Sequence, residues 1–101
     1  MLIARWQIDA RFGHKQSVID AIKRWGEEIA PQVGLKNGQL LSGSIGALEA
    51  TVEHNWPVET LAELERAWAQ LASVPAHKQW SKDLEPVVVS GTSRWSIFRV
   101  V

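Results

Sequence analysis

The sequence of 101 residues contains no cysteine and no tyrosine, and its charges cancel. Without cysteine it can form no disulfide, no thiolate metal site and no cysteine nucleophile. Eleven lysines and arginines balance eleven acidic residues. The positive field that attracts phosphate backbones is therefore missing, and we expect no nucleic-acid partner. No hydrophobic run is long enough to cross a bilayer, so we expect no membrane partner either.

The composition is that of a globular protein, because 46% of the residues are hydrophobic. The length predicts a single domain over residues 1–101. The first residues alternate and soon include Arg5, which is untypical of a secretory signal and favours a cytoplasmic location. The three histidines lack metal-ligand spacing, and no glycine loop or nucleophile motif is present, so we expect neither a metal nor a cofactor.

Hydrophobic alternation predicts two half-buried strands. The even-numbered residues of the segment 2–10 are apolar, and those of the segment 49–56 are apolar except for His54. The segment 39–45 precedes the second strand and is predicted to form a hairpin with it. Residues 87–89 and 94–101 predict a last strand, with a bulge at Ser90-Gly91.

Between the strands the period changes to that of a helix. A first helix is predicted over 14–30 from the apolar stripe of Val18, Ala21, Ile22, Trp25 and Ile29. A second is predicted to begin near Pro57 and to end near Val74, with Leu61, Leu64, Trp68 and Leu71 as its stripe. A short helical segment is expected over 76–84.

The resulting order is β-α-β-β-α-β. Such an order favours an α+β sandwich of the ferredoxin-like class, with both helices on one face of an antiparallel sheet.

The segments 46–56, 61–64 and 67–71, with Trp56 ending a strand before a long helix, resemble those of the dimeric α+β barrel superfamily. The resemblance is to NIPSNAP-like and antibiotic-biosynthesis-monooxygenase-like proteins. It implies a homodimer joined through the helix-free sides of two sheets, and a ligand site between sheet and helices. Activities in the superfamily are diverse, from cofactor-free oxygenation to haem degradation, so the fold alone does not identify the chemistry.

Haem-degrading members of the superfamily use an asparagine on the first strand, a tryptophan on the second helix and a histidine after it. Trp68 and His77 resemble the last two, whereas Trp6 stands at the asparagine position. The resemblance therefore fills two of the three roles.

Four of the six tryptophans are predicted to meet in one interior: Trp6 and Trp56 from the sheet, and Trp25 and Trp68 from the helices. Large residues at helical spacing are usually core, so a packed aromatic core is the favoured interpretation. The alternative is a pocket for a small aromatic ligand, lined by these four residues.

His54 and His77 are the candidate catalytic residues. His54 is the polar exception on an apolar strand face, where burial without a partner would be costly. It is either hydrogen-bonded to a carbonyl or an indole, or it serves the pocket as a base or donor. His77 either closes the pocket or is a solvated surface residue.

The sequence therefore predicts a homodimeric small-ligand-binding domain with an aromatic pocket. The alternative is an enzyme similar to cofactor-independent monooxygenases, acting on an aromatic or carbonyl-rich molecule. The composition does not decide between a binding protein and an enzyme.

Overall fold

Four antiparallel strands and three helices make up the computed structural model, which describes all 101 residues. The strands are β1 (Leu2–Asp9), β2 (Gln39–Ser42), β3 (Thr51–Val58) and β4 (Arg94–Arg99). The helices are α1 (Lys15–Glu28), α2 (Leu61–Leu71) and α3 (Pro75–Leu84), and short 3₁₀ turns follow α1 at Ala30–Val33 and α3 at Glu85–Val87. The strand order β2-β3-β1-β4 is ferredoxin-like, which confirms the predicted fold class.

The helices cover one face of the sheet, here called the inner face, on which the even-numbered residues of β1 and β3 lie. Two clusters of buried apolar residues form there. One contains Ala4 and Val58 together with Ile29 and Leu64, and the other contains Ile8. Between these clusters Trp6 of β1 is opposite His54 of β3. The middle of the inner face is therefore occupied by rings instead of aliphatic side chains.

The opposite face of the sheet, here called the outer face, has no helix over it. Arg5 donates from Nη2 to both carboxylate oxygens of Glu53 at 2.8 Å. With the amide of Gln7 oriented to suit both neighbours, its nitrogen donates to Glu53 and its oxygen accepts from Arg94. The pairing explains how Glu53 can be only 9% exposed, since a buried carboxylate needs a partner.

Strand β3 differs from the predicted strand at both ends. It begins at Thr51 instead of Glu49, and it continues through Pro57 to Val58, so the expectation that Pro57 opens the next helix is wrong. Pro57 pairs with Ile3 of β1, whereas β2 reaches only to Asn55 on the other side. Because nothing pairs with that side of β3 at Pro57, the missing N–H of proline costs little.

Helix α2 begins later than predicted, at Leu61, where Thr60 caps it. The Thr60 hydroxyl accepts a hydrogen bond from the backbone N–H of Glu63 at 3.2 Å. The Glu63 carboxylate in turn accepts from the backbone N–H of Glu59 at 2.9 Å. These side chains satisfy backbone donors that a helix start leaves free.

Two other predicted strand segments are irregular. β2 ends at Ser42, because Gly43 approaches the backbone of Leu48 so closely that no Cβ would fit there. Residues 87–89 form no strand, since Pro86 lies in a 3₁₀ turn and only Val88 makes an isolated bridge, to Ala10. Instead of a bulge inside a strand, Ser90-Gly91 forms a turn before β4, with Gly91 at φ +83°.

None of the helices has the length and apolar character needed to cross a membrane.

Candidate functional site

A cavity of about 560 Å³ lies between the inner face and the helices. All six tryptophans line it. The lining residues are Trp6, Ile22, Trp25, His54, Trp56, Trp68, Leu71, Ala72, His77, Trp80 and Trp95. The shared interior that the periodicity predicts is present, and it encloses open space where a fully packed aromatic core was the favoured interpretation. The structure thus brings all six candidate site residues together, while their roles stay predictions.

Trp80 and Trp95 are lining residues that the sequence did not assign to the pocket. Trp80 lies one turn after His77 on α3, and Trp95 is opposite Trp6 in the pairing of β4 with β1. The sequence could have assigned Trp80 to the pocket if α3 had been known, and Trp95 if the register of β4 had been known. Trp68 and Trp95 meet edge to face at 5.2 Å and are 38% and 39% exposed. Their exposure places them at the mouth of the cavity.

Three indole N–H groups have protein partners that hold the wall in place. Trp25 donates to Nδ1 of His77 at 3.0 Å, and Trp80 donates to the carbonyl of Ala21 at 2.7 Å. Trp6 donates to the hydroxyl of Ser93 at 2.8 Å. Because these bonds join α1 to α3, and β1 to the segment before β4, they fix the rings on different elements relative to one another.

His54 is only 6% exposed, and neither of its ring nitrogens has a hydrogen-bond partner in the protein. Its imidazole lies 4.2 Å from the ring of Trp56 and 6.0 Å from that of Trp25, measured between centroids. Burial lowers the pKa of His54 to about 4, because the charged form loses its hydration. His54 is therefore uncharged at neutral pH, and the carbonyl or indole partner considered from the sequence is absent.

His77 is half-buried on α3 and stacks on Trp80 at 5.8 Å. Since its Nδ1 accepts the N–H of Trp25, the neutral ring carries its own hydrogen on Nε2. Burial lowers the pKa of His77 below its usual value. His77 is thus a wall residue of the cavity and not a freely solvated side chain.

A second cleft, of about 700 Å³, lies on the far side of His54 and Trp56, which line both spaces. It is bounded by the end of α1 and by residues 31–38, and its lining includes the charged residues Lys23, Glu27 and Lys36. Two glycines make room for the shared rings. A Cβ on Gly26 would lie 3.2 Å from Cε1 of His54, and one on Gly38 would lie 2.5 Å from Cζ3 of Trp56.

Nothing in the cavity forms a metal centre, since no three His, Cys, Asp or Glu side chains lie together. The residues also do not fill all the roles of the haem site that the resemblance implies. Trp6 takes the asparagine position with a large indole that packs 6.1 Å from Trp80, and His77 is engaged by Trp25. The lining residues fit an apolar organic molecule better than a porphyrin.

The free energy of unfolding is expected to depend on pH through the protonation of His54. Its pKa is about 4 in the folded protein against 6.5 ordinarily, so the unfolded chain takes up a proton first as the pH falls. The contribution of His54 is complete above pH 6.5 and is lost on acidification to about pH 4. His54→Leu should remove up to ~3 kcal/mol of this dependence.

Urea unfolding at about pH 7.5 and about pH 4.5 measures the effect. The matched control is His14→Leu, which alters an exposed histidine with no side-chain hydrogen bond at the start of α1. The His14→Leu variant should keep the wild-type dependence of stability on pH. Equal losses of stability in wild type and in His54→Leu would contradict a buried, uncharged imidazole.

Comparison with known proteins identifies the fold of the chain. No family model matches the chain, and no curated protein sequence matches it. Among solved structures, it is similar to a NIPSNAP family protein from Agrobacterium tumefaciens, with a TM-score of 0.80 and 20% identity, over 99% of this chain and 85% of that one. An uncharacterized NIPSNAP-like domain protein from Burkholderia xenovorans gives a TM-score of 0.80 and 23% identity, over 99% of this chain and 84% of that one.

SnoaB, a cofactor-independent oxygenase from Streptomyces nogalater, is similar at a TM-score of 0.70 and 15% identity, over 98% of this chain and 91% of that one. These likenesses confirm the resemblance drawn from the sequence at the level of the fold. The chain has the α+β barrel fold that NIPSNAP-like and antibiotic-biosynthesis-monooxygenase-like proteins share.

Proposed function

We propose that the chain binds a small, flat aromatic molecule in the cavity lined by the six tryptophans. The observation that carries the proposal is the open space of about 560 Å³ among six indole rings, three of which are held by hydrogen bonds. This volume lies within the range of small-molecule sites, which are typically apolar with a few polar groups. Trp6, Trp25, Trp56 and Trp68 would hold the ligand by ring contacts, and His54 and His77 would orient it.

The indole groups themselves report on binding. Each tryptophan has one N–H, and all six tryptophans line the cavity, so six indole cross-peaks in a ¹⁵N-labelled sample observe one site. We expect titration with naphthalene to shift several indole peaks together along a saturable curve. Ala72→Phe places a ring in the lining and should weaken binding about tenfold or more.

Ala69→Phe is the matched control, because Ala69 is exposed on α2 and lies outside the lining. It should bind naphthalene as the wild type does. Indole peaks that do not move at all, or that move equally in Ala72→Phe, would overturn the proposed site.

A second candidate is an enzyme similar to cofactor-independent monooxygenases. Its support is the presence of two uncharged imidazoles in an apolar cavity, beside a fold shared with SnoaB. Such a reaction needs a base to remove a proton from the substrate. With a pKa of about 4, His54 is a weak base, and the accepting nitrogen of His77 is already engaged by Trp25. Ligand binding therefore ranks above this activity.

Oxygen uptake with anthrone, a tricyclic aromatic ketone, tests the enzymatic candidate. If the chain is an oxygenase, uptake should exceed the uncatalysed rate and should fall in His54→Leu or His77→Leu, but not in His14→Leu. Uptake equal to that of buffer would remove the candidate.

We also propose that two copies associate through the outer face. Two features of this face support the proposal: it carries exposed apolar side chains, and it contains a buried polar atom that lacks a partner. Leu41 and Phe98 are 39% and 51% exposed there, and Oδ1 of Asn55 is buried without a hydrogen bond. A second sheet would cover the side chains of Leu41 and Phe98. The cytoplasmic location stays a prediction from the sequence.

Sedimentation velocity at micromolar concentration should show a dimer. Phe98→Asp would bury a charge in the proposed interface and should give a monomer. Leu61→Asp is the control, because Leu61 is equally exposed, at 52%, but lies on α2 in the helical layer. A monomeric wild type, or a dimer that survives Phe98→Asp, would contradict association through this face.

A further inference from the structure

His54 and Trp56 are the two nearly fully buried wall residues whose polar groups make no hydrogen bond within the protein, and only His54 offers both a donor and an acceptor. It is only 6% exposed, it lines the cavity, and neither ring nitrogen meets a protein partner. By contrast, the indole N–H groups of Trp6, Trp25 and Trp80 are all bonded within the protein. A neutral imidazole offers one donor and one acceptor, and since neither is used within the protein, both are available to a ligand.

The imidazole is held in place by packing contacts alone, without a hydrogen bond. Trp56 and Trp25 pack against it, with centroids at 4.2 Å and 6.0 Å. On the side of α1, Gly26 leaves room only for the ring, since a Cβ there would lie 3.2 Å from Cε1 and 3.5 Å from Nε2. Glycine is unfavourable inside a helix, so its presence at this contact is consistent with a position that must accommodate His54.

We propose that His54 is a specificity-determining residue that selects aromatic ligands carrying an uncharged hydroxyl or carbonyl group, with which its imidazole forms a hydrogen bond. The inference rests on the proposed function and names the ligand class of that site. A phenolic hydroxyl complements the imidazole because it can donate to one nitrogen or accept from the other. A carboxylate fits less well, because the surrounding rings offer no positive charge to pair with it.

The selection follows from how buried polar groups behave. A hydrocarbon of the same shape fills the cavity and removes the remaining water, but it leaves His54 without a partner. Sites built to hydrogen-bond a ligand group discriminate against the analogue that lacks the group for this reason. The preference for the hydroxylated ligand over the hydrocarbon should therefore be a property of His54 and not of the rings.

The test compares 2-naphthol with naphthalene in the same indole titration. In wild type the ratio of the naphthalene Kd to the 2-naphthol Kd should be at least about tenfold larger than in His54→Leu, which corresponds to about 1.4 kcal/mol. His54→Leu should still bind naphthalene. His54→Gln keeps one donor and one acceptor and should retain part of the preference, while His14→Leu should retain all of it.

Gly26→Ala provides an independent variant, because it displaces the imidazole without removing it. We expect it to reduce the preference for 2-naphthol while helix α1 remains intact. An unchanged Kd ratio in His54→Leu would overturn the role of His54 and leave the aromatic site standing. Failure of the wild type to bind either compound would overturn both proposals.

Discussion

The layer in which Trp6 is opposite His54 determines the rest of the interior. On either side of this layer, aliphatic residues such as Val52 and Val58 form two packed clusters. Flat, rigid rings from six of the elements meet in the layer itself, and they leave a cavity of about 560 Å³ because they cannot interdigitate as branched aliphatic side chains do. The core is therefore split at the position where the fold can accommodate another molecule.

The cavity is pre-formed because its wall is joined by directional contacts. The hydrogen bond from Trp25 to His77 and that from Trp80 to Ala21 connect α1 with α3, while Trp80 also packs against Trp6 of the sheet. Binding of a ligand would then cost little free energy for ordering the site, which favours binding by a rigid molecule. His54 and Trp56 are positioned in this wall by packing, and no protein group forms a hydrogen bond with either side chain.

Much of this arrangement is predictable from the sequence, because periods of two and of 3.6 residues assign directions. They place Trp6, Trp56, Trp25 and Trp68 in one interior with His54. The paths of the chain between elements are harder to predict. Pro57 lies within β3 at a position that β2, which begins at Gln39 opposite Asn55, does not reach, and Trp80 and Trp95 join the site through α3 and through the register of β4. Periodicity also does not distinguish a packed core from an open one, since that depends on how rings from different elements fit together.

The most direct measurement is anomalous scattering from crystals of the protein soaked with a bromonaphthalene. If the aromatic cavity is the binding site, the bromine peak will lie among the indoles of Trp25, Trp56 and Trp68, with the naphthalene rings in contact with them. A cavity filled only by water, or by the wall tryptophans themselves in rearranged positions, with no bromine peak there, would contradict the account.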